Sequence, residues 1–362
     1  MSFIQKYPFN LNLLKLNQKR NTAIGIDITN SAIKIVELSK NSKGYTLEHF
    51  AVTPLPSNEQ HQPQFTDTYM IGQTIQKALQ QSQSTAKYAV VAVDGASVIT
   101  KNISIPAGLS EDEMMEQIII DAPKYMPYDI NNMYFDFNIQ GLNKINTNQL
   151  DVLLVATRKE AIESKIAILT HAQLKPKIID VETFAIGNAL PLLASQLPYR
   201  IDDKTIAVVD MGANFTTLHV IHHTRSIYTR ELAFGGHQLT HHISQTYQLT
   251  QVDAEYAKKQ GDLPEGYITT ILEPFKQNIV QQIQRSLQFF SASQNNHRID
   301  SIILLGGCSG IDTLVSTALN LPTCVANPFI DMTYSSNINP QSVSEYASSM
   351  LVACGLALRN FD

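Results

Sequence analysis

An acid at the end of an apolar strand, followed at once by a tight polar turn, occurs twice in this chain. The first copy reads Ala23-Ile-Gly25-Ile-Asp27-Ile-Thr29-Asn30-Ser31-Ala-Ile-Lys34-Ile-Val-Glu-Leu38. The second, about half a chain later, reads Ile206-Ala-Val-Val-Asp210-Met-Gly212-Ala-Asn214-Phe-Thr216-Thr-Leu-His-Val-Ile221. With Asp27 set on Asp210, the apolar residues Ile26, Ile28, Ile33, Ile35 and Leu38 fall on Val209, Met211, Thr216, Leu218 and Ile221. Thr216 is the one polar exception. Apolar runs on either side of such a turn predict a hairpin of buried strands. Backbone N–H groups in the turn can converge on a phosphate, while the acid faces a hydrated divalent metal. Two copies predict duplicated lobes that grip a nucleotide from both sides.

The length fits that arrangement, since 362 residues exceed one typical core and suit two lobes with insertions. Apolar residues make up 44%, which is ordinary for a globular chain. A net charge of −5 without a long basic run argues against nucleic acid as a partner. Cys308, Cys324 and Cys354 are unclustered, so neither a disulfide framework nor a zinc knot is expected. Buried, reduced thiols of a cytoplasmic protein are the expectation. No apolar run approaches the roughly 20 residues that span a bilayer, and no signal peptide is expected.

Residues 1–21 mix Phe3, Ile4, Phe9, Leu13 and Leu14 with Lys6, Lys15 and Arg20. Pro8 and the dispersed charges spoil an amphipathic helix, so an irregular arm packed on the body is expected. A third strand at Tyr45–Val52, a helix near Tyr69–Gln80 and a buried strand at Lys87–Asp94 complete the start of the first lobe. Residues 97–181 read as an inserted unit in the order strand, helix, strand, strand, helix, strand. Ser110 with Glu113, and Thr157 with Glu160, have capping-box spacing and are expected to open its helices. The first of these helices is expected to stop at Ala122-Pro123. An apolar helix at Glu182–Leu193 leads into the second hairpin. Three helices with long polar faces follow, and the last buries Ile271, Phe275, Ile279, Ile283, Leu287 and Phe290 on one stripe. Ser301–Leu305 runs as a strand into Gly306-Gly307-Cys308-Ser309-Gly310, and a helix at Val343–Arg359 is expected to close the chain.

Three loops therefore carry candidate chemistry: Asp27–Ser31 with Lys34, Asp210–Thr216, and the glycine turn at 306–310. In the last, missing side chains let a flat base or ribose approach the backbone. Their order resembles the actin-like ATPase superfamily, with two phosphate loops, a connecting helix and an adenosine loop. The resemblance implies ATP with Mg2+ as cofactors, Asp27 and Asp210 orienting the metal through water. Thr29, Asn30, Ser31, Gly212, Asn214 and Thr216 would cradle phosphates, and Lys34 would contact the terminal ones. Gly306, Gly307 and Ser309 would border the adenosine. Glu255 and Lys258 lie where relatives reach the ribose and base, although Glu…Lys at short helical spacing is also an ordinary surface pair.

The inserted unit resembles that of the FtsA-like branch. Within the branch, the chain is similar to the PilM family of type IV pilus assembly proteins. The motifs that carry this are Leu109-Ser-Glu-Asp-Glu113, Ala122-Pro-Lys-Tyr-Met-Pro127, Asp151-Val-Leu-Leu-Val-Ala156, Ile179-Asp-Val-Glu-Thr-Phe-Ala185 and Ala326-Asn-Pro-Phe329. The implied fold is α/β, a duplicated actin-like ATPase fold with an FtsA-type inserted subdomain. The implied first lobe is 22–96 with 182–199 and 330–362, and the inserted subdomain is 97–181. The second lobe is 200–236 with 299–329, carrying a helical subdomain at 237–298. The implied function is a cytoplasmic ATP-binding scaffold, peripheral at the inner membrane, that binds the cytoplasmic N-terminal peptide of the membrane protein PilN. Pilus motor ATPases and further copies of the chain are additional candidate partners. The peptide groove is expected at the join of the first lobe and the inserted unit, with Met114, Met115, Tyr134 and Phe135 as candidate contacts.

Two other readings compete. A hydrolysing, filament-forming or cell-division ATPase needs a residue that positions the attacking water, and Glu182 is the candidate; it equally suits the start of a helix, where the dipole favours an acid. Slow or absent turnover is expected. A sugar kinase on the same fold would carry an Asn-Asp pair between the phosphate loops, and this sequence has none.

Overall fold

The computed structural model describes residues 22–56, 67–126, 128–201, 204–293, 297–307 and 310–361. The expected arm at 1–21 and Ser309 lie outside the described residues. In chain order the first lobe begins with β1 (Ala23–Ile28), β2 (Ala32–Asn41), β3 (Gly44–Pro54), α1 (Thr68–Ser82) and β4 (Tyr88–Val93). Next come β5 (Val98–Pro106), α2 (Glu111–Tyr125), β6 (Met133–Leu142), β7 (Gln149–Arg158), α3 (Lys159–His171), β8 (Lys175–Val181) and α4 (Glu182–Ala189). The second lobe holds β9 (Thr205–Met211), β10 (Thr216–His222), β11 (Arg225–Leu232), α5 (Gly236–Tyr247), α6 (Gln251–Gln260), α7 (Glu273–Ser293), β12 (Ser301–Gly306), α8 (Asp312–Leu319) and β13 (Thr323–Val325). The chain closes with β14 (Thr333–Tyr334), α9 (Pro340–Tyr346) and α10 (Leu351–Leu358).

Among the described residues these strands form three sheets, ordered β14-β3-β2-β1-β4-β8, β11-β10-β9-β12-β13 and β5-β7-β6. The first two repeat one plan: an antiparallel three-strand meander, then parallel strands added beside its first member. The duplication extends to register. Asp27 stands opposite Lys34, and Asp210 stands opposite Thr217, the matching position of the second copy.

Side-chain alternation then divides the core. Ile24 and Ile26 of β1 face α1 and α3, in one cluster with Ile75 and Leu169. Ala207 and Val209 of β9 face α7, whose Phe275, Ile279, Ile283, Leu287 and Phe290 form the expected stripe. The opposite faces meet in the middle, where Ala23, Ile206, Val208, Ile303 and Leu305 pack with Ala185 and Ile186 of α4 and with Leu351 and Leu356 of α10. This central layer needs two very close approaches. A side chain on Gly25 would collide with the α10 backbone at Ala353 and Ala357, and one on Gly355 would collide with the Ala185 carbonyl of α4.

The structure corrects several expectations. Strand β8 pairs with β4 inside the first sheet rather than with the inserted strands, because its Ile179 and Val181 are buried among first-lobe residues. Helix α3 follows it, burying Ile162, Ile168 and Leu169 in the same cluster. The separate inserted sheet is therefore β5-β7-β6, backed by α2. The Ser110–Glu113 capping box forms, with both reciprocal hydrogen bonds. The Thr157–Glu160 one does not: Thr157 is the penultimate residue of β7 and donates its hydroxyl to the Ser97 carbonyl at 3.1 Å. Helix α2 passes Pro123 and ends two residues later at Tyr125; the proline forfeits one helical hydrogen bond, and only a short stretch continues beyond it. The closing helix is broken into α9 and α10 by a 3-10 turn at Ala347–Ser349.

Candidate functional site

Strand period and strand length together place Asp27 and Asp210. Asp27 shares the face of Ala23 and Gly25, and Asp210 that of Ile206 and Val208, so both acids lie on the faces turned toward the other lobe. Each also sits at the carboxyl end of a strand with parallel neighbours, the end at which ligands bind in open α/β sheets. Asp94, directly after β4, and Glu182, directly after β8, stand at the same edge.

Lys34 ties this group together. Its Nζ lies 3.0 Å from Asp27 Oδ2, and the two side chains are 14% and 10% exposed. Burial alone would lower the Lys34 ammonium, but the charges of Asp27, Asp210 and Glu182 hold it above its ordinary value. Burial pushes Asp210 up, against the pull of Lys34. Glu182 is raised to about 8 by burial and by the neighbouring Asp27, Asp210 and Asp94. One ammonium thus serves acids from both lobes.

The turns themselves are tightly closed. In the first, the Thr29 hydroxyl donates to the Ala32 carbonyl at 2.9 Å and accepts from the Ala32 N–H at 3.1 Å. Asn30 Oδ1 is buried with no hydrogen-bond partner among the described residues, and Ser31 is exposed. In the second, the Gly212 N–H donates to the Phe215 carbonyl at 2.9 Å, and Asn214 is half-buried. Thr216 is buried with its hydroxyl donated to the Phe234 carbonyl at 2.7 Å, so it anchors the turn to the segment entering α5. Gly236 and His237 donate their N–H groups to the Gly212 and Ala213 carbonyls, which seats the N-terminus of α5 on the second turn.

Glu255 and Lys258 reach the same corner. Lys258 Nζ lies 2.6 Å from Glu255 Oε2 and 2.8 Å from Thr240 Oγ1, and the Thr240 hydroxyl donates to Glu255 at 2.6 Å. Burial would raise Glu255, but the hydrogen bonds from Lys258 and Thr240 hold it low. This is a half-buried polar link between α5 and α6, anchored on the buried Thr240. In the same lobe, at the end of β12, Gly306 has φ +85°, and a side chain there would strike the Met211 carbonyl and approach Asp210 Oδ1. Gly307 is exposed and faces open space.

These residues fit a nucleotide with a hydrated metal. One ammonium is paired with Asp27 and feels the charge of Asp210 from the other lobe, an orphaned amide oxygen lies in one turn, and a flat glycine surface stands beside Asp210. Among the described residues no group of three or more His, Cys, Asp or Glu side chains could hold a metal directly. A metal here would be held through its waters, as the positions of Asp27 and Asp210 suggest. Asp94 escaped the sequence reading although its signal was present: Ala89-Val-Val-Ala-Val-Asp94-Gly95 repeats the strand-then-acid pattern of the two hairpins.

The expected partner contacts are placed differently. Met114 is 4% exposed, in the core of the inserted unit, and Met115 and Phe135 pack against that core. Tyr134 packs on the first-lobe core, with the Lys159 ammonium 5.6 Å over its ring. A cavity of about 240 Å³ lies beside the join, lined by Asn138, Gln140 and Leu153 of the inserted sheet, by Asp180, Phe184, Asn188 and Arg359 of the first lobe, and by Thr224 and Arg225 of the second.

Two like sheets around a cleft with acids at their carboxyl edges define a protein of the actin-like ATPase fold. A solved structure of the ethanolamine utilization protein EutJ from Carboxydothermus hydrogenoformans is similar at that level, with 13% identity and a TM-score of 0.51. The match covers 93% of this chain and 89% of that one. The chain belongs to the family of the type IV pilus assembly protein PilM, whose family model matches residues 25–361. A solved "PilM-PilN type IV pilus biogenesis complex" contains a chain 27% identical to it, with a TM-score of 0.76. That match covers 95% of this chain and 99% of the other.

Proposed function

We propose that this protein is an ATP-binding scaffold of type IV pilus assembly. It binds ATP with Mg2+ between the lobes, and a short PilN-like cytoplasmic peptide at the join of the first lobe and the inserted sheet. The observation that carries the nucleotide half is the pairing of Lys34 with Asp27 at a cleft edge where Asp210 of the other lobe also acts on the ammonium. Asp27 and Asp210 would hold the waters of the metal. Asn30, Ser31, Asn214 and the turn backbone would meet phosphate, with Thr29 and Thr216 keeping the turns in shape. Gly306 and Gly307 would border the base, with Ser309 beside them in sequence, and the Glu255–Lys258 pair would approach the ribose. When bound, the metal would offset phosphate charge beside the cleft's acids.

The peptide half is supported by the PilN present in the similar complex and by the cavity at the join. Burying one or two aliphatic side chains there would contribute about 1.5–3 kcal/mol each before ordering costs. That suits micromolar affinity, sufficient when the partner is tethered at a membrane and its local concentration is high. Among the described residues no helix is long and apolar enough to cross a membrane. Association with the cytoplasmic face of the inner membrane would therefore run through the partner, from which motor ATPases could be reached.

Calorimetry with ATP and Mg2+ tests the nucleotide half. The wild-type chain binds, Asp27→Ala and Asp210→Ala each weaken binding at least tenfold, and ATP at a hundred times its Kd stabilises the fold by about 2.7 kcal/mol. Unchanged affinity in both variants refutes the assignment. Titration of a PilN-like N-terminal peptide against labelled protein tests the other half. Protection at Leu153 and Phe184 is expected, and protection confined to the second lobe rejects the groove.

A further inference from the structure

Lys165 is a charged residue on a buried stripe. It lies midway along α3, one turn from Ile162 and one turn from Leu169, both packed into the first-lobe core. It is half-buried and makes no hydrogen bond or ion pair among the described residues. Two features of the fold decide where its ammonium points. Helix α3 runs back along the sheet into β8, which is parallel to β4 and β1, so its N-terminus lies at the carboxyl ends of those strands. Helical side chains lean toward the N-terminus of their helix. A long lysine side chain leaving this stripe can therefore extend along the apolar surface and bring its charge to the strand ends. The acids within its electrostatic reach are Asp27, Glu182 and Asp94, the three that follow β1, β8 and β4.

The two lysines of the cleft thus differ. Lys34 is committed to Asp27 and also feels Asp210 of the second lobe. Lys165 belongs to the first-lobe wall near Glu182 and is held by no single carboxylate. We propose that Lys165 is a second cationic ligand for the cleft's nucleotide, engaging the terminal phosphate of a nucleoside triphosphate from the first-lobe wall. The inference rests on the nucleotide reading above and adds a preference for triphosphate over diphosphate that the duplicated hairpins do not supply. The acids Asp27, Asp94 and Asp210 leave the cleft unfavourable for a triphosphate, and a cation that makes no ion pair among the described residues meets that charge at least cost in rearrangement.

Calorimetry of Lys165→Gln and Lys165→Arg against ATP–Mg2+ and ADP–Mg2+ tests it. Lys165→Gln should weaken ATP about ten- to a hundredfold, the range of a charge-assisted hydrogen bond, and change ADP less than about threefold. Lys165→Arg should keep most of the ATP preference. A measurement on the wild-type chain guards against misfolding of the variants: ATP–Mg2+, but not ADP–Mg2+, should protect Lys165 from acetic anhydride, read by peptide mass spectrometry. Equal losses for both nucleotides, or acylation indifferent to ATP in a chain that binds it, overturn the role of Lys165 alone. A wild-type chain that binds neither nucleotide overturns this role together with the nucleotide reading.

Discussion

Lys34 Nζ lies 3.0 Å from Asp27 Oδ2 because the first hairpin sets the two residues directly opposite each other on β1 and β2. The second hairpin has the same register, but Thr217 stands opposite Asp210. Duplication therefore supplies two acids and a single lysine, which pairs with Asp27 and also feels the charge of Asp210. In Lys34→Met, Asp27 loses its counter-charge beside Asp210 and Glu182. Breaking a buried pair from one side costs about 3–5 kcal/mol, so urea denaturation at neutral pH should show a loss of this order.

Glu182 titrates near 8 in the fold because burial and the adjacent Asp27, Asp210 and Asp94 disfavour its charge. The folded state holds this proton where the unfolded state has released it. The stability tied to it is fully present below the ordinary glutamate value of 4.5 and is lost as pH rises toward 8. Without ligand, Glu182→Gln should therefore raise the melting temperature relative to wild type, most clearly at pH 8 and above. A variant that melts with the wild type at every pH would contradict the burial of that carboxyl.

In the ligand-free cleft, burial and the neighbouring Asp27, Asp210 and Asp94 disfavour the charged form of Glu182, which makes it a poor acceptor for a water proton. Phosphate release should be slow, and Glu182→Gln should leave the low rate nearly unchanged. Rapid turnover abolished by that substitution would instead make nucleotide the protein's fuel rather than its clamp.

His219 of β10 is 1% exposed, and burial alone depresses it to about 4. Its Nε2 has no hydrogen-bond partner among the described residues. The unfolded chain takes up this proton below the ordinary histidine value of 6.5, whereas the fold resists until about 4. Stability is thus present above 6.5 and falls through that window on acidification, by about 3 kcal/mol in total. His219→Leu should flatten the fall, measured by thermal melts from pH 7 to 4.

Gly355→Ala puts a methyl group into the Ala185 carbonyl where α10 crosses α4. The overpacking should cost about 1–3 kcal/mol, more than the helix propensity gained, about 1 kcal/mol. Gly307→Ala is the control: a methyl there meets nothing within 4 Å, and stability should stay within about 0.5 kcal/mol of wild type.

Local patterns in the sequence determined both hairpins, the acids that end their first strands, the capping box at Ser110 and the stripe of α7, because a two-residue or 3.6-residue period and a turn are written in adjacent residues. Tertiary structure decided the membership of β8, whose apolar run suited either sheet until burial against β4 chose one. It also decided the fate of Thr157, whose capping spacing lost to a hydrogen bond with Ser97, and of Met114, which filled a core instead of facing a groove. Most of all it decided the cleft. Asp27 and Asp210 are half a chain apart and come within electrostatic reach of one lysine because α4 and α10 pack between two sheets, while strand direction brings Asp94 to the same edge. Such convergence depends on pairings between distant segments, which no local period encodes.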